Sequence, residues 1–239
     1  MSKAYLILSG KGGVGKSTVA SALADLWAQK GLKTVLVDGD VGLRCAEMFF
    51  GMQHSIVWDA QDVLDKSCTL SQALCRCPDR EMLYLLAAPQ ALSPSDIDKK
   101  DMGSLIDGLK AEFDRVILDC PAGLGRGVKN LWNSADEAIV VATPDALCLR
   151  DAERVGQMLF DKKKLHPYLL LNRYDRTLLW DRLIESPERI AGTLDMPLLG
   201  VLPQSDFVYR ALLQHKPASR CAGLLVRKNL RNIAEKLLD

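Results

Sequence analysis

The run Gly10-Lys11-Gly12-Gly13-Val14-Gly15-Lys16-Ser17-Thr18 comes straight after the apolar stretch Ala4-Tyr5-Leu6-Ile7-Leu8-Ser9, and it leaves this chain few folds to choose from. A short apolar run that stops at a glycine cluster is how a strand buried on both faces begins a parallel sheet. Beyond the glycines the period changes. Ala20, Leu23, Ala24 and Trp27 recur at helical spacing between Ser17 and Lys30, and Gly31 stands where a helix closes. Strand, glycine loop and helix in that order satisfy the P-loop pattern, with Gly10 and Gly15 framing the loop and Lys16-Ser17 after it. In such a loop successive backbone N–H groups face an anion, and the helix N-terminus adds a favourable dipole. Lys16 is placed to hold the β- and γ-phosphates of a nucleoside triphosphate. The Ser17 hydroxyl is placed to sit on Mg²⁺, a hard cation that takes oxygen ligands.

The same glycines support a rival. Gly10, Gly12 and Gly15 fit Gly-x-Gly-x-x-Gly, and Asp38 lies about 20 residues on, where a dinucleotide fold binds ribose, as in an NAD(P)-dependent oxidoreductase. Lys16 stands against it, because a dinucleotide turn has no comparable need for a buried ammonium beside Ser17-Thr18. Further apolar runs at Thr34 to Val37, Leu83 to Ala87, Arg115 to Leu118, Ala138 to Ala142, Tyr168 to Leu171 and Leu198 to Leu202 repeat the opening theme. Helical-looking stretches lie between most of them. Such alternation implies right-handed βαβ crossovers and a mainly parallel central sheet with helices on both faces, its ligands at the carboxyl ends of the strands. The expected fold is thus an α/β P-loop NTPase. It forms a single domain over residues 1–239, since no repeat, low-complexity tract or linker interrupts it. Ser93-Pro94-Ser95 only opens a helix, and Lys162-Lys163-Lys164 reads as a solvated helix end.

Composition excludes several classes. Lys and Arg number 31 against 30 Asp and Glu, so no broad basic surface offers itself to nucleic acid and DNA is not an expected partner. Cysteines number seven, an odd count at irregular spacing with no leader peptide, which predicts reduced thiols and a cytoplasmic protein. Every apolar run is far shorter than the ~20 residues of a membrane-spanning helix.

A second acidic element completes the phosphate site. Arg115-Val116-Ile117-Leu118-Asp119 is an apolar strand with a carboxylate at its carboxyl end, the expected Mg²⁺-water ligand beside a P-loop. Cys120-Pro121-Ala122-Gly123 follows, small enough for the backbone to move against a γ-phosphate. Asp38 and Asp40, separated by Gly39, would share one side of an extended segment.

Lys11, directly after the first glycine, is the residue by which the chain resembles the MinD/ParA family of deviant P-loop ATPases, the MinD branch in particular. Ser9 through Thr18, Val37-Asp38-Gly39-Asp40-Val41-Gly42-Leu43-Arg44, Asp119-Cys120-Pro121-Ala122-Gly123 and Leu171-Asn172-Arg173-Tyr174 look like that family's segments in the same order. The resemblance implies an ATPase that cycles between ATP and ADP with Mg²⁺, slow until an activating protein arrives, working as a dimerisation switch in cell-division placement or another positioning process, with a ParA-like DNA-partition role the less favoured branch. It implies that Lys11 reaches across an ATP-dependent homodimer to the partner's phosphates. It assigns Asp40 to the attacking water, Asp38 to the Mg²⁺ surroundings with Ser17 and Asp119, and Asn172 to the adenine edge, with Arg173 in the same nucleotide-binding segment. The expected contact for an activator or client is Asp145 through Arg154.

Departures from the family carry their own expectations. No amphipathic tail of the kind by which such proteins enter a bilayer is expected beyond the last helical stripe. Leu224, Val226, Leu230, Ile233, Ala234, Leu237 and Leu238 follow helical spacing and read as core. Arg227, Lys228 and Arg231 leave a basic face for peripheral contact with anionic lipid at the inner membrane face. Cys75-Arg76-Cys77, with Cys68 nearby, raises the alternative of a metal or iron–sulfur insertion ATPase, two copies supplying four thiolates to a soft metal.

Overall fold

The computed structural model describes residues 2–41, 44–89, 99–123, 125, 128, 131–163 and 165–238. Gly42, Leu43, Ser93-Pro94-Ser95 and Lys164 therefore lie outside the described residues. The strands are β1 (Lys3–Leu8), β2 (Thr34–Asp38), β3 (Cys75–Arg76), β4 (Leu83–Leu86), β5 (Arg115–Asp119), β6 (Glu137–Ala142), β7 (Tyr168–Tyr174) and β8 (Leu198–Pro203). They form one sheet in the order β3-β4-β2-β5-β1-β6-β7-β8, parallel throughout except for the β3–β4 pair. The helices are α1 (Lys16–Gln29), α2 (Ala60–Leu64), α3 (Leu70–Ala73), α4 (Lys99–Glu112), α5 (Ala146–Lys163), α6 (Arg176–Trp180), α7 (Pro187–Thr193), α8 (Asp206–Leu213), α9 (Ala218–Cys221) and α10 (Leu224–Lys236).

Continuous apolar runs become the central strands because both of their faces are covered. Successive residues Ala4 to Leu8 of β1, Val116 to Leu118 of β5 and Ala138 to Ala142 of β6 are all buried, so neither pleat faces water. β1 is flanked by β5 and β6, which centres the glycine loop on the sheet's carboxyl edge. The order reverses there, and that crevice is where open α/β sheets take ligands.

α1 is buried almost all round rather than along one stripe, Ser21 and Asp25 included. Its outer side is closed by α9 and α10, which are held to it by polar pins. Trp27 Nε1 donates to the Ala234 carbonyl at 3.0 Å, and the Tyr5 hydroxyl to the Leu237 carbonyl at 2.7 Å. Asp25 accepts from Arg80, Arg220 and Ser219 at 2.8, 2.8 and 2.6 Å, tying α1 to the turn before β4 and to α9.

α10 also closes the β8 edge. Asn229 donates to the Val201 carbonyl and Lys236 to the Leu199 carbonyl, so edge acceptors that could pair with another strand are satisfied within the chain. Val226, Leu230, Ile233, Ala234 and Leu237 are core, as the spacing predicts, but Leu224 is 77% exposed and lies outside the stripe. Among the described residues no helix is long and apolar enough to cross a membrane.

Candidate functional site

The glycine loop is held open by its own backbone and three neighbours. Gly13 and Gly15 have φ of +77° and +99°, a region that favours glycine. A Cβ on Gly10 would lie 2.4 Å from that of Asp151 in α5, and one on Gly15 would lie 2.3 Å from Asn172 Nδ2. The Ser9 hydroxyl donates to the Lys11 carbonyl at 2.7 Å, fixing the backbone of Lys11 while its side chain stays exposed. Asn172, at the end of β7, donates Nδ2 to the Val14 carbonyl at 2.7 Å, which locks the loop from the far side.

α1 starts at Gly15 with no side-chain cap and no acidic residue in its first turn, so its orphan N–H groups are directed into the cradle. Lys16 is buried there. A buried ammonium above an uncapped helix start needs an anion, and a polyphosphate supplies one.

Opposite stand the carboxylates. Asp119 is fully buried at the end of β5, and among the described residues neither of its oxygens has a well-formed hydrogen bond, the Ser17 hydroxyl standing nearby without one of good geometry. Burial first, and then the charge of Asp38 beside it, push its pKa up to about 7, while Ser17 and Lys16 pull it back only in part. An orphaned buried carboxylate next to a serine hydroxyl is a donor set short of a hard cation, and Mg²⁺ fits it. Among the described residues no group of three or more His, Cys, Asp or Glu could hold a metal alone. Phosphate oxygens and water must complete the shell, as nucleotide-bound Mg²⁺ requires.

The proton on Asp119 yields a signed expectation. The folded chain keeps it up to about pH 7, whereas an unfolded carboxyl loses it near 3.8, so the metal-free fold loses stability as pH rises through that interval. Mg²⁺ must displace this proton. Calorimetric titration of Mg²⁺ into the ADP-loaded chain should show affinity falling about tenfold per pH unit below 7. Asp119→Asn should bind Mg²⁺ weakly and without that slope.

Asp38 and Asp40 do not share the side of an extended segment. β2 ends at Asp38, whose Oδ1 accepts from the Asp40 N–H at 2.9 Å and whose Oδ2 accepts from the N–H groups of Cys45 and Ala46 at 2.8 and 2.9 Å. Asp38 thus caps the 3-10 turn Ala46–Phe50, and its charge reaches Asp119. Gly39 allows this fold-back, since a Cβ there would meet the Asp119 carbonyl at 2.7 Å. Asp40 keeps its carboxylate for other work. Burial raises its pKa, and the nearby Lys16 offsets only part of that rise.

A cavity of about 170 Å³ opens beside the cradle, walled by Gly15, Thr18, Asn172, Arg173, Tyr209 and Leu212. It has room for a flat heterocycle next to the loop. Arg173 sits at φ +54°, turning the end of β7 along this wall. Of the groups around the site, the family resemblance implied Asn172 and Arg173 but not the α8 wall, whose approach depends on how β8 ends.

Asp145 opens the approach to α5. Burial pushes its carboxyl up, but the Thr143 hydroxyl, the Cys148 N–H and the Lys11 ammonium outweigh it and leave the pKa lowered. Leu147, Arg150, Glu153 and Arg154 are exposed along the following turns.

The two thiols of the Cys75-Arg76-Cys77 run differ in setting. Cys75 lies in β3 with its thiol toward the Ser55 carbonyl at 3.8 Å, while Cys77 is buried and its thiol pushed up to about 12, burial being the main cause. All seven cysteines are free thiols.

The CobQ/CobB/MinD/ParA nucleotide binding domain matches residues 5–218. The septum site-determining protein MinD of Helicobacter pylori is 38% identical over 221 residues, 90% of this chain and 82% of that protein. The protein of the same name from Bacillus subtilis is 35% identical over 242 residues, 100% of this chain and 90% of its own length. Among solved structures, the MinC:MinD cell division protein complex of Aquifex aeolicus superposes with a TM-score of 0.92 at 27% identity, covering 99% of this chain and 96% of that one. MinD of Pyrococcus horikoshii complexed with Mg-ADP gives 0.87 at 29% identity, with the same coverage.

Proposed function

The chain belongs to the CobQ/CobB/MinD/ParA nucleotide-binding family, and from that premise we propose that it is an ATP-dependent dimerisation switch, a MinD-like ATPase that helps place the cell-division site through partner proteins. It binds ATP with Mg²⁺ and hydrolyses ATP to ADP and phosphate. The metal-insertion, DNA-partition and dinucleotide alternatives find no support.

The observation that carries the switch is the exposed Lys11 on a backbone pinned by Ser9, at the rim of a cradle whose own lysine is already buried inside. One ammonium serves the chain's own phosphates. The other is free to serve a second copy's. Two triphosphates brought face to face repel, and a lysine crossing from each side offsets that repulsion and the charge gathering on the leaving oxygens.

The remaining roles follow from where each group stands. Lys16 and the N–H groups from Gly10 through Thr18 hold the phosphates, and Asn172 with Arg173 line the base cavity. Asn172 spends one N–H on Val14 and keeps an acceptor oxygen and a second N–H, the pattern that matches the N6 and N7 edge of adenine. Ser17 and Asp119 would hold Mg²⁺, which supplies charge stabilisation at the phosphates when bound. Asp38 positions Asp40 through its N–H, and Asp40 orients the water. Protein partners meet the exposed start of α5, from Asp145 through Arg154, where their binding would be felt at Lys11 and, through Asp151 packed on Gly10, at the loop. The protein works in the cytoplasm, with the basic face of Arg227, Lys228 and Arg231 available to anionic lipid at the inner membrane face.

Light scattering measures the switch directly. The chain should have twice the mass with MgATP that it has with MgADP. Equal masses in the two would rule the dimer switch out.

A further inference from the structure

A second connection joins the base cavity to the catalytic loop, away from the phosphates. α8 supplies Tyr209 and Leu212 to the cavity wall and ends in a Schellman turn, with the His215 N–H on the Leu212 carbonyl at 2.9 Å and the Lys216 N–H on the Ala211 carbonyl at 3.0 Å. The left-handed position of that turn, φ +52°, is held by His215. Glycine is the less strained residue there. Three other residues at positive φ, Lys66, Arg182 and Asp195, also close helices without glycine, so the backbone alone does not mark His215. Its ring does. Nδ1 lies 3.2 Å from the Met48 carbonyl, and since a carbonyl only accepts, Nδ1 carries the proton.

Met48 lies in the 3-10 turn Ala46–Phe50, whose leading N–H groups at Cys45 and Ala46 grip Asp38, which in turn grips the N–H of Asp40. Gly51 ends that turn at φ +65°, and a Cβ there would sit 3.8 Å from that of His215, so the two turns meet tip to tip. Every link from the cavity wall to Asp40 is a contact or a hydrogen bond between adjacent groups.

We propose that His215 is a positioning residue for hydrolysis: it braces the Asp38-capped turn against α8, so that a base seated in the cavity and the carboxylate of Asp40 are set by one rigid unit. This rests on the reading that Asp40 orients the water and that the cavity takes the base. His215 lies outside both the glycine loop and the lining of the base cavity, so it acts on the rate of the chemical step and not on the hold of the phosphate cradle.

The test is steady-state phosphate release with saturating MgATP, together with calorimetric ADP affinity and melting temperature, for His215→Gly and His215→Asn. Glycine suits the left-handed turn and removes the ring, so His215→Gly should melt within a few degrees of the parent chain and bind ADP as tightly. Its kcat should fall about five-fold, the effect of one lost hydrogen bond in the positioning of a catalytic group. His215→Asn places an amide N–H where Nδ1 stood and tolerates positive φ, so it should recover most of the rate. An unchanged kcat in His215→Gly overturns the proposal, as does a kcat that falls together with ADP affinity and melting temperature. Asp40→Ala in the same assay separates the two levels. If that chain still turns over, the role given to Asp40 fails and the brace has no purpose, whereas failure at His215 alone leaves Asp40 untouched.

Discussion

Asp40→Ala should bind MgATP, pair, and then remain paired, with phosphate release lowered at least about a hundredfold, the usual scale for removing a positioned group that handles the attacking water. Lys11→Ala should fail differently, binding MgATP as a monomer. The split follows from geometry. The Asp40 N–H is fixed by Asp38 while its carboxylate accepts no hydrogen bond among the described residues, so alanine there removes chemistry and leaves the loop in place. The Lys11 backbone is fixed by Ser9 and its side chain is exposed, so alanine removes what the side chain reaches outside the chain and its charge beside the exposed Asp145, and leaves the loop in place. Sedimentation velocity with ATP and with ADP, run beside phosphate release, distinguishes the two variants. Identical behaviour would mean that one of the roles is misassigned.

The largest stability effect is expected far from the cradle. Asp25 is buried in the middle of α1 and is the shared acceptor of Arg80, Arg220 and Ser219, with Arg220 also bridged to Asp79 at 2.9 Å. Removing the carboxylate takes the shared acceptor from Arg80 and leaves Arg220 only the exposed Asp79, with the two guanidinium groups close together and largely shielded from water. Breaking such a cluster by deleting one partner costs about 3–5 kcal/mol. Asp25→Ala should therefore lower the denaturant midpoint at constant slope, the shift multiplied by the slope giving that loss, as read by circular dichroism. Asn should be only slightly better, since it keeps an acceptor but not the charge. A loss below about 1 kcal/mol would show that the arginines find water or other partners, and that the cluster contributes little.

Much of the fold can be read from the chain because its central strands are buried on both faces and so appear as unbroken apolar runs. β1, β5 and β6 are cases of this. β3 escapes such a reading, being two residues long and half polar, and it pairs only because the chain folds back on β4. α1 shows a helical stripe in sequence but is buried more widely than the stripe. Asp25 and Ser21 look like surface residues until α9 and α10 close over them.

The phosphate site is legible for a similar reason, since glycine spacing encodes backbone dihedrals directly, as Gly13 and Gly15 show at positive φ. Asp119 is legible as a strand-terminal carboxylate. The work of Asp38 is not, because its partners are N–H groups of Cys45 and Ala46, and a backbone donor leaves no mark in residue type. The base cavity is hidden for a different reason. Its walls come from the loop, the end of β7 and α8, and only the sheet order brings them together.

Lys11 acting across the pair is the claim on which the switch depends, and mixing two inactive chains tests it most directly. In a mixed dimer of Lys11→Ala and Asp40→Ala, the site on the Lys11→Ala protomer keeps its own Asp40 and receives Lys11 from the other. Phosphate release from the equimolar mixture should rise well above the sum of the separate proteins. A mixture no more active than that sum would place Lys11 on its own chain's nucleotide and contradict the account.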